Sequence, residues 1–304
     1  MENFSSVQRW LTKLDKRSGS ANTREVYLRY FRRFCEYAGL NPDQLIAERQ
    51  GDLRSEDPFV RRRAEERLDK WFVELDKQGL SRNTCALAFN AVRSFYKGNY
   101  MRLEVEETPS AWPEKHKPGL TKEDLKAILD GAEKPIHRAI ILCQAQSGLS
   151  ISDLLKLRVG DIKKQLDDGA ERIHLRLQRE KEKENWFDTF FGAKSTEALR
   201  KYLETRDDPS MDERLFPCTD RNVDRVLARL SLKAGLGFTA SSHDLRKFFS
   251  TSLKMARVND PAFNETLIEY WMGHSLGKVR GSYFVPPFEE QLRLYKLAEE
   301  RLEP

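Results

Sequence analysis

Apolar side chains in the first hundred residues recur at three- and four-residue steps, the period of helices that turn one face to a core. Val7, Leu11 and Leu14 mark a first helix, and Tyr27, Tyr30, Phe31 and Phe34 a second that Thr23 can cap. Leu68, Trp71, Phe72 and Leu75 mark a third; Leu87, Phe89, Val92 and Phe95 mark a fourth, with Ser81 placed to cap it. Nothing here alternates as a strand does, so residues 1–106 read as a bundle of about four helices. Then the period lapses. Glu107-Thr-Pro-Ser-Ala-Trp-Pro-Glu-Lys-His-Lys-Pro118 holds three prolines, which predicts an extended linker over 107–119.

Helical spacing resumes at Thr121-Lys-Glu-Asp124, a start resembling a capping box. It predicts helices over 121–131, 137–147, 151–158, 194–205, 222–234, 242–256, 263–272 and 287–302. Strand-like alternation is confined to 172–191, where Ile173, Leu175 and Leu177 alternate with polar neighbours. In the following strand Trp186, Asp188 and Phe190 share one face and Phe187, Thr189 and Phe191 the other, with the charged stretch 179–184 as the hairpin turn. Residues 120–304 are therefore predicted as a mostly helical domain with one small β-hairpin, and the chain as mainly α.

Composition narrows the class. A chain of 304 residues is long enough for two domains with cores of their own. No window approaches the roughly 18 consecutive apolar residues of a membrane span, and Met1-Glu-Asn-Phe-Ser-Ser lacks the basic and apolar regions of a secretory signal. A cytoplasmic protein with no membrane partner is expected. Cys35, Cys85, Cys143 and Cys218 stand singly, a spacing that argues against a metal site and for reduced thiols acting as small buried hydrophobes. The net charge of +5 is compatible with nucleic acid without demanding it. Arg61, Arg62 and Arg63 are the densest cationic run, either a phosphate contact or a solvated helix face beside Glu65, Glu66 and Asp69.

The last third concentrates chemistry: His243-Asp-Leu-Arg246, then Gly273-His274-Ser275, then Tyr283. A phenol is only about one part in a thousand ionised at neutral pH, so a nucleophilic tyrosine needs a base and a cationic pocket. Arg246 matches two non-bridging phosphate oxygens by paired hydrogen bonds. His243, three residues earlier, lies on the same helix face, and His274 precedes Tyr283 by nine positions. Each motif alone is ordinary; their order and spacing together are not.

This constellation resembles the tyrosine recombinase (phage integrase) family. Ser147-Gly-Leu-Ser-Ile-Ser-Asp-Leu-Leu-Lys-Leu157, continued by Arg158-Val-Gly-Asp161-Ile, resembles the family's first signature box. His243-x-x-Arg246 resembles the second box, Gly273-His274 the third, and Tyr283 the nucleophile. The helical N-terminal region is similar to the family's core-binding domain, with the catalytic domain following the linker. The tail Tyr283-Phe-Val-Pro-Pro, followed by a helix with Tyr295, looks most like archaeal integrases.

The resemblance implies site-specific cleavage and rejoining of double-stranded DNA through a 3′-phosphotyrosine, without metal, ATP or other cofactor, by a homo-oligomer (dimer or tetramer) on DNA. It also implies a hairpin lysine that protonates the departing 5′ oxygen. Lys181, in Arg179-x-Lys181 before an aromatic-rich strand, fits that place better than Lys183. The C-terminal helix, with Leu292, Leu294, Tyr295 and Leu297, either packs on its own domain or docks into a neighbouring subunit.

One residue departs from the pattern. Where the family's first box has arginine after Gly-Leu, this chain has Ser150, which also suits the cap of a helix over 151–158. Lys183, Lys278 and Arg280, counted among the expected DNA contacts, and Arg138 are the candidates to replace the missing charge. The alternatives are a DNA-binding protein of the same fold with impaired catalysis, or an engineered serine that traps a complex.

Overall fold

The computed structural model describes residues 1–18, 21–105, 109, 117–178, 186–257, 261, 263–276, 284 and 286–304. The chain forms two compact units, Met1–His116 and Lys117–Pro304.

The first unit is all-helical among its described residues: α1 (Ser5–Ser18), α2 (Ala21–Ala38), α3 (Pro42–Asp52), α4 (Pro58–Arg61), α5 (Arg63–Lys77) and α6 (Arg82–Gly98). The expected four helices are α1, α2, α5 and α6. The sequence reading passed over α3 although its start is well signalled: Asn41 and Gln44 form a capping box and Pro42 takes the first turn. The core is aromatic. Trp10 meets Phe31 and Phe95 edge-on, and Phe31 stacks on Phe95 with centroids 4.0 Å apart.

The second unit comprises α7 (Lys122–Asp130), α8 (Pro135–Ser147), α9 (Ile151–Leu154), α10 (Gly160–Asp167), β1 (Ile173–Gln178), β2 (Trp186–Phe191), α11 (Ala193–Leu203), α12 (Asp220–Lys233), α13 (Ser242–Ala256), α14 (Glu265–Trp271) and α15 (Phe288–Leu302). Its centre is α8, buried without interruption from Ala139 to Ser147, with the polar Gln144, Gln146 and Ser147 enclosed along with its apolar residues. β1 and β2 pair antiparallel from Ile173 opposite Phe191 to Gln178 opposite Trp186. β2 is buried on both faces from Phe187 to Phe191. The alternation assigned its faces but did not foretell that Asp188 would be enclosed.

One predicted helix is corrected. The segment 151–158 is helical only over Ile151–Leu154, because α9 stops after one turn and Arg158 instead makes a β-bridge with Arg214. Arg158 N donates to Asp161 Oδ2 at 2.7 Å, opening α10, which the sequence reading missed. Cys35, Cys85 and Cys143 are buried free thiols and Cys218 is half-buried; burial pushes the Cys35 thiol up to about 12. No helix among the described residues is long and apolar enough to cross a membrane.

Candidate active site

Three chain segments, spread over 124 residues from Gly148 to Met272, meet at one guanidinium. Arg246 Nη1 donates to Gly148 O at 2.6 Å and Nη2 donates to Met272 O at 2.8 Å, with the side chain 8% exposed. Gly148 lies in the first expected box, Arg246 in the second, and Met272 adjoins the third. The two carbonyls fix the guanidinium plane, as its rigid fork of donors allows.

Local chemistry explains each approach. Gly148 caps α8 in the left-handed conformation (φ 65°), and a Cβ there would run into the Phe249 ring of α13. Only glycine lets α8 end against α13 so that its carbonyl faces Arg246. At α14, Gly273 N donates to Tyr270 O (2.8 Å) and His274 N to Glu269 O (2.9 Å), the paired bonds of a Schellman end. Gly273 also has a left-handed φ (68°), and its α-carbon abuts Phe187 of β2, where an added Cβ would lie 2.8 Å from the ring.

Gly148→Ala is expected to destabilise the second unit by about 2–5 kcal/mol, combining left-handed strain with overpacking. A fall in Tm on the order of 10 °C in thermal unfolding of the full chain would follow. An unchanged Tm would mean that α13 yields and the contact is not rigid.

α13 is anchored at its start. Ser241 N and Oγ donate to Asp244 Oδ2 at 2.8 and 2.6 Å, and Ser242 N donates to Asp224 Oδ1 at 2.8 Å. Burial opposes ionisation of Asp244, but Lys117 at 2.5 Å and the Ser241 donors hold its carboxyl below the usual range. His243 therefore sits in the first helical turn, exposed as a side chain, one turn before buried Arg246. Partial desolvation of its ring and the charges of Lys247, Arg246 and Lys117 outweigh Asp244 and lower its pKa below 6.5. At neutral pH it is an uncharged imidazole with a nitrogen able to accept a proton.

His274 is oriented by Glu269, whose carboxylate takes the ring Nδ1 and leaves Nε2 on the far side of the ring. Burial raises the Glu269 pKa, but hydrogen bonds from His274 and Lys254 outweigh it and keep the group ionised.

Ser150 is the N-cap of α9. Its Oγ accepts from Asp153 N (3.2 Å), donates to Asp153 Oδ2 (2.5 Å) and lies 2.9 Å from Ser152 Oγ. Its proton is thus given to a carboxylate.

Of the expected site residues, the structure brings Arg246 to the first and third boxes and places His243 and His274 on the elements flanking it. Tyr283, Lys181, Lys183, Lys278 and Arg280 lie outside the described residues. Arg138, the described candidate for the replacement cation, donates from Nη1 to Leu129 O of α7 at 2.8 Å. The sequence reading missed Glu269 and Lys117. The signal for Glu269 was its place five residues before His274 across a glycine-ended helix.

The Arg61–Arg63 run straddles a helix break, so its three side chains share no helix face. Arg63 pairs with Asp52 at 3.3 Å and Glu48 at 3.9 Å, and Arg61 O accepts from buried Arg49. A different basic feature stands out in that unit: a cleft of about 340 Å³ lined by Arg17, Arg93, Lys97 and Arg102, with Tyr27 and Asn90, and no carboxylate among the described lining residues. Its signal was a basic pair at i, i+4 on one helix, Arg93 and Lys97.

Comparison with known proteins decides the family. The profile of the phage integrase family matches residues 118–283, more than half the chain. The chain belongs to the phage integrase family. Tyrosine recombinase XerA of Thermococcus onnurineus is 26% identical over 288 residues, spanning 88% of this chain and 86% of that protein. Tyrosine recombinase XerC of Bacillus pumilus is 28% identical over 229 residues, spanning 67% and 71%. Among solved structures, a lambda integrase(75-356) dimer bound to a COC′ core site superposes with a TM-score of 0.63 at 14% identity, covering 90% of this chain and 96% of that one. At that identity the likeness shows the tyrosine recombinase fold, helical apart from a small antiparallel sheet. The archaeal relative fits the archaeal cast of the C-terminal tail.

Proposed function

We propose that this integrase-family protein is a site-specific recombinase that cuts and rejoins duplex DNA through a 3′-phosphotyrosine on Tyr283. The observation that carries the reading is the Arg246 guanidinium held by main-chain carbonyls next to both other motifs. The phenol oxygen of Tyr283 bonds to phosphorus as the bond to the 5′ oxygen breaks. Neutral His243 takes the phenol proton, while Arg246 and His274 stabilise charge on the phosphate oxygens. Lys181 returns a proton to the departing 5′ oxygen, and rejoining runs these steps backwards. The partners are double-stranded DNA and further copies of this chain, a reading supported by the DNA-bound lambda integrase dimer and tetramer.

The test is covalent trapping on supercoiled DNA carrying the protein's own genomic flanks. The expected result is an SDS-resistant adduct, lost in Tyr283→Phe. Tight binding without an adduct would instead establish a DNA-binding protein with a disabled site, the second reading, which the commitment of the Ser150 hydroxyl to Asp153 favours.

Phosphate contact in the first unit is assigned to the Arg17–Arg93–Lys97–Arg102 cleft rather than to Arg63, whose charge is matched by carboxylates. Lys97→Ala is expected to weaken binding equally on all sequences and to lower the slope of log K against log salt by about one. A slope unchanged in Lys97→Ala but reduced in Arg63→Ala would reverse the assignment.

The lowered pKa of His243 fixes the pH dependence. As its neutral form is the base, the cleavage rate is expected to fall as pH drops and to reach half its plateau below pH 6.5. A rate already halved above pH 6.5 would assign the base elsewhere.

A further inference from the structure

Asp188 is the one buried carboxylate in the middle of β2, at 5% exposure, and no step above uses it. Its Oδ1 meets His174 Nε2 of β1 at 2.8 Å. Its Oδ2 accepts from Tyr270 OH of α14 at 2.5 Å and from Gln291 Nε2 of α15 at 3.3 Å. Burial alone would favour the neutral acid, yet these donors hold the carboxyl below its usual range, so it is an anion enclosed by donors.

What the donors do next gives the cluster a direction. Gln291 Nε2 also donates to Pro286 O at 2.9 Å, and its Oε1 accepts from Trp271 Nε1 at 3.2 Å. The Tyr270 ring meets the Phe284 ring edge-on with centroids 5.6 Å apart. Phe284 and Pro286 are the first and third residues after Tyr283. Tyr270 and Trp271 lead directly into Met272, whose carbonyl holds Arg246, and into His274. One carboxylate thus joins the hairpin, the helix that ends in the third motif, and the chain that follows the tyrosine.

We propose that Asp188 is a positioning residue for the nucleophile: through Tyr270 and Gln291 it holds Phe284 and Pro286 in register with Met272 and His274. The chain carrying Tyr283 is thereby set relative to the Arg246 guanidinium. A hydrophobic contact alone would let this chain slide, whereas hydrogen bonds from two elements to one oxygen define a single position. The proposal rests on the strand-transfer reading for its kinetic consequence, though the mooring itself is measurable without activity.

The experiment compares the full-length protein with Asp188→Asn, Tyr270→Phe and the double variant. Asparagine keeps the shape but turns an N–H toward groups that are themselves donors. Two readouts are taken: single-turnover adduct formation on a nicked duplex carrying the genomic flanks, and amide hydrogen exchange of the peptide spanning 284–291. Asp188→Asn is expected to slow adduct formation by about a hundred-fold, the cost of a misplacement near 1 Å. DNA affinity should stay unchanged, and exchange at 284–291 should rise with the remainder of α14 and α15 protected. Because both residues act through one unit, Tyr270→Phe should add little to the loss in Asp188→Asn, whereas independent structural damage would add. Unchanged exchange at 284–291, or additive losses in the double variant, would overturn the proposal. If the parent forms no adduct, the strand-transfer reading fails, and the exchange result alone decides the mooring.

Discussion

Ser150→Arg is expected to accelerate adduct formation by about a hundred-fold or more, because one preorganised cationic donor at a transferring phosphate is typically worth 10² to 10⁵. The present serine adds nothing comparable: its hydroxyl caps α9 and gives its proton to Asp153. An arginine here would enter a loop whose preceding turn, at Gly148, already faces Arg246, and Asp153 is close enough to orient the new guanidinium. The same change removes the cap, so stability should fall while the rate rises, by about 1 kcal/mol or a few degrees in Tm. That opposition makes the result diagnostic. Ser150→Ala loses the cap without gaining a charge, and should show the same fall in Tm with no gain in rate. A Ser150→Arg protein no faster than its parent would mean that the site already has its full positive charge, supplied by another residue.

Much of this site was legible in the sequence because its motifs are local. His243 and Arg246 fall on one helix, and glycine before His274 marks a helix end, so spacing alone placed them. Ser150 as an N-cap could likewise be read from its flanks, although the helix it caps proved to be one turn long. What spacing could not show was which partners close over these residues. That Asp244 takes Lys117, or that Asp188 collects three donors, depends on contacts between segments up to 127 residues apart. Asp188 was the least legible, since an acidic residue in an alternating strand reads as solvent-facing until a helix is known to cover that side. The Arg61–Arg63 run shows the opposite limit. A dense charge cluster is conspicuous in sequence, but the carboxylates that neutralise Arg63 come from α3, a helix the periodicity had not revealed.

Replacing Arg246 by lysine should be nearly as damaging as replacing it by alanine. A lysine keeps the charge, yet its single ammonium cannot hold Gly148 O and Met272 O in the fixed fork that the guanidinium provides. At least one buried carbonyl would lose its donor, at a cost of about 1–3 kcal/mol, and alanine would orphan both. Because those carbonyls belong to the segments carrying the first and third motifs, the loss is geometric as well as electrostatic. His274 and the loop at Ser150 would no longer share one fixed reference. Adduct formation in Arg246→Lys is therefore expected to fall by about a thousand-fold, in the range for loss of one transition-state donor. Tm should fall as well, while DNA affinity, carried by many phosphate contacts, should change little. Binding and single-turnover cleavage measured on the same DNA separate the two roles. If Arg246→Lys cleaves within a few-fold of the parent, charge alone suffices at this position. The carbonyl fork would then be a feature of packing rather than of the site.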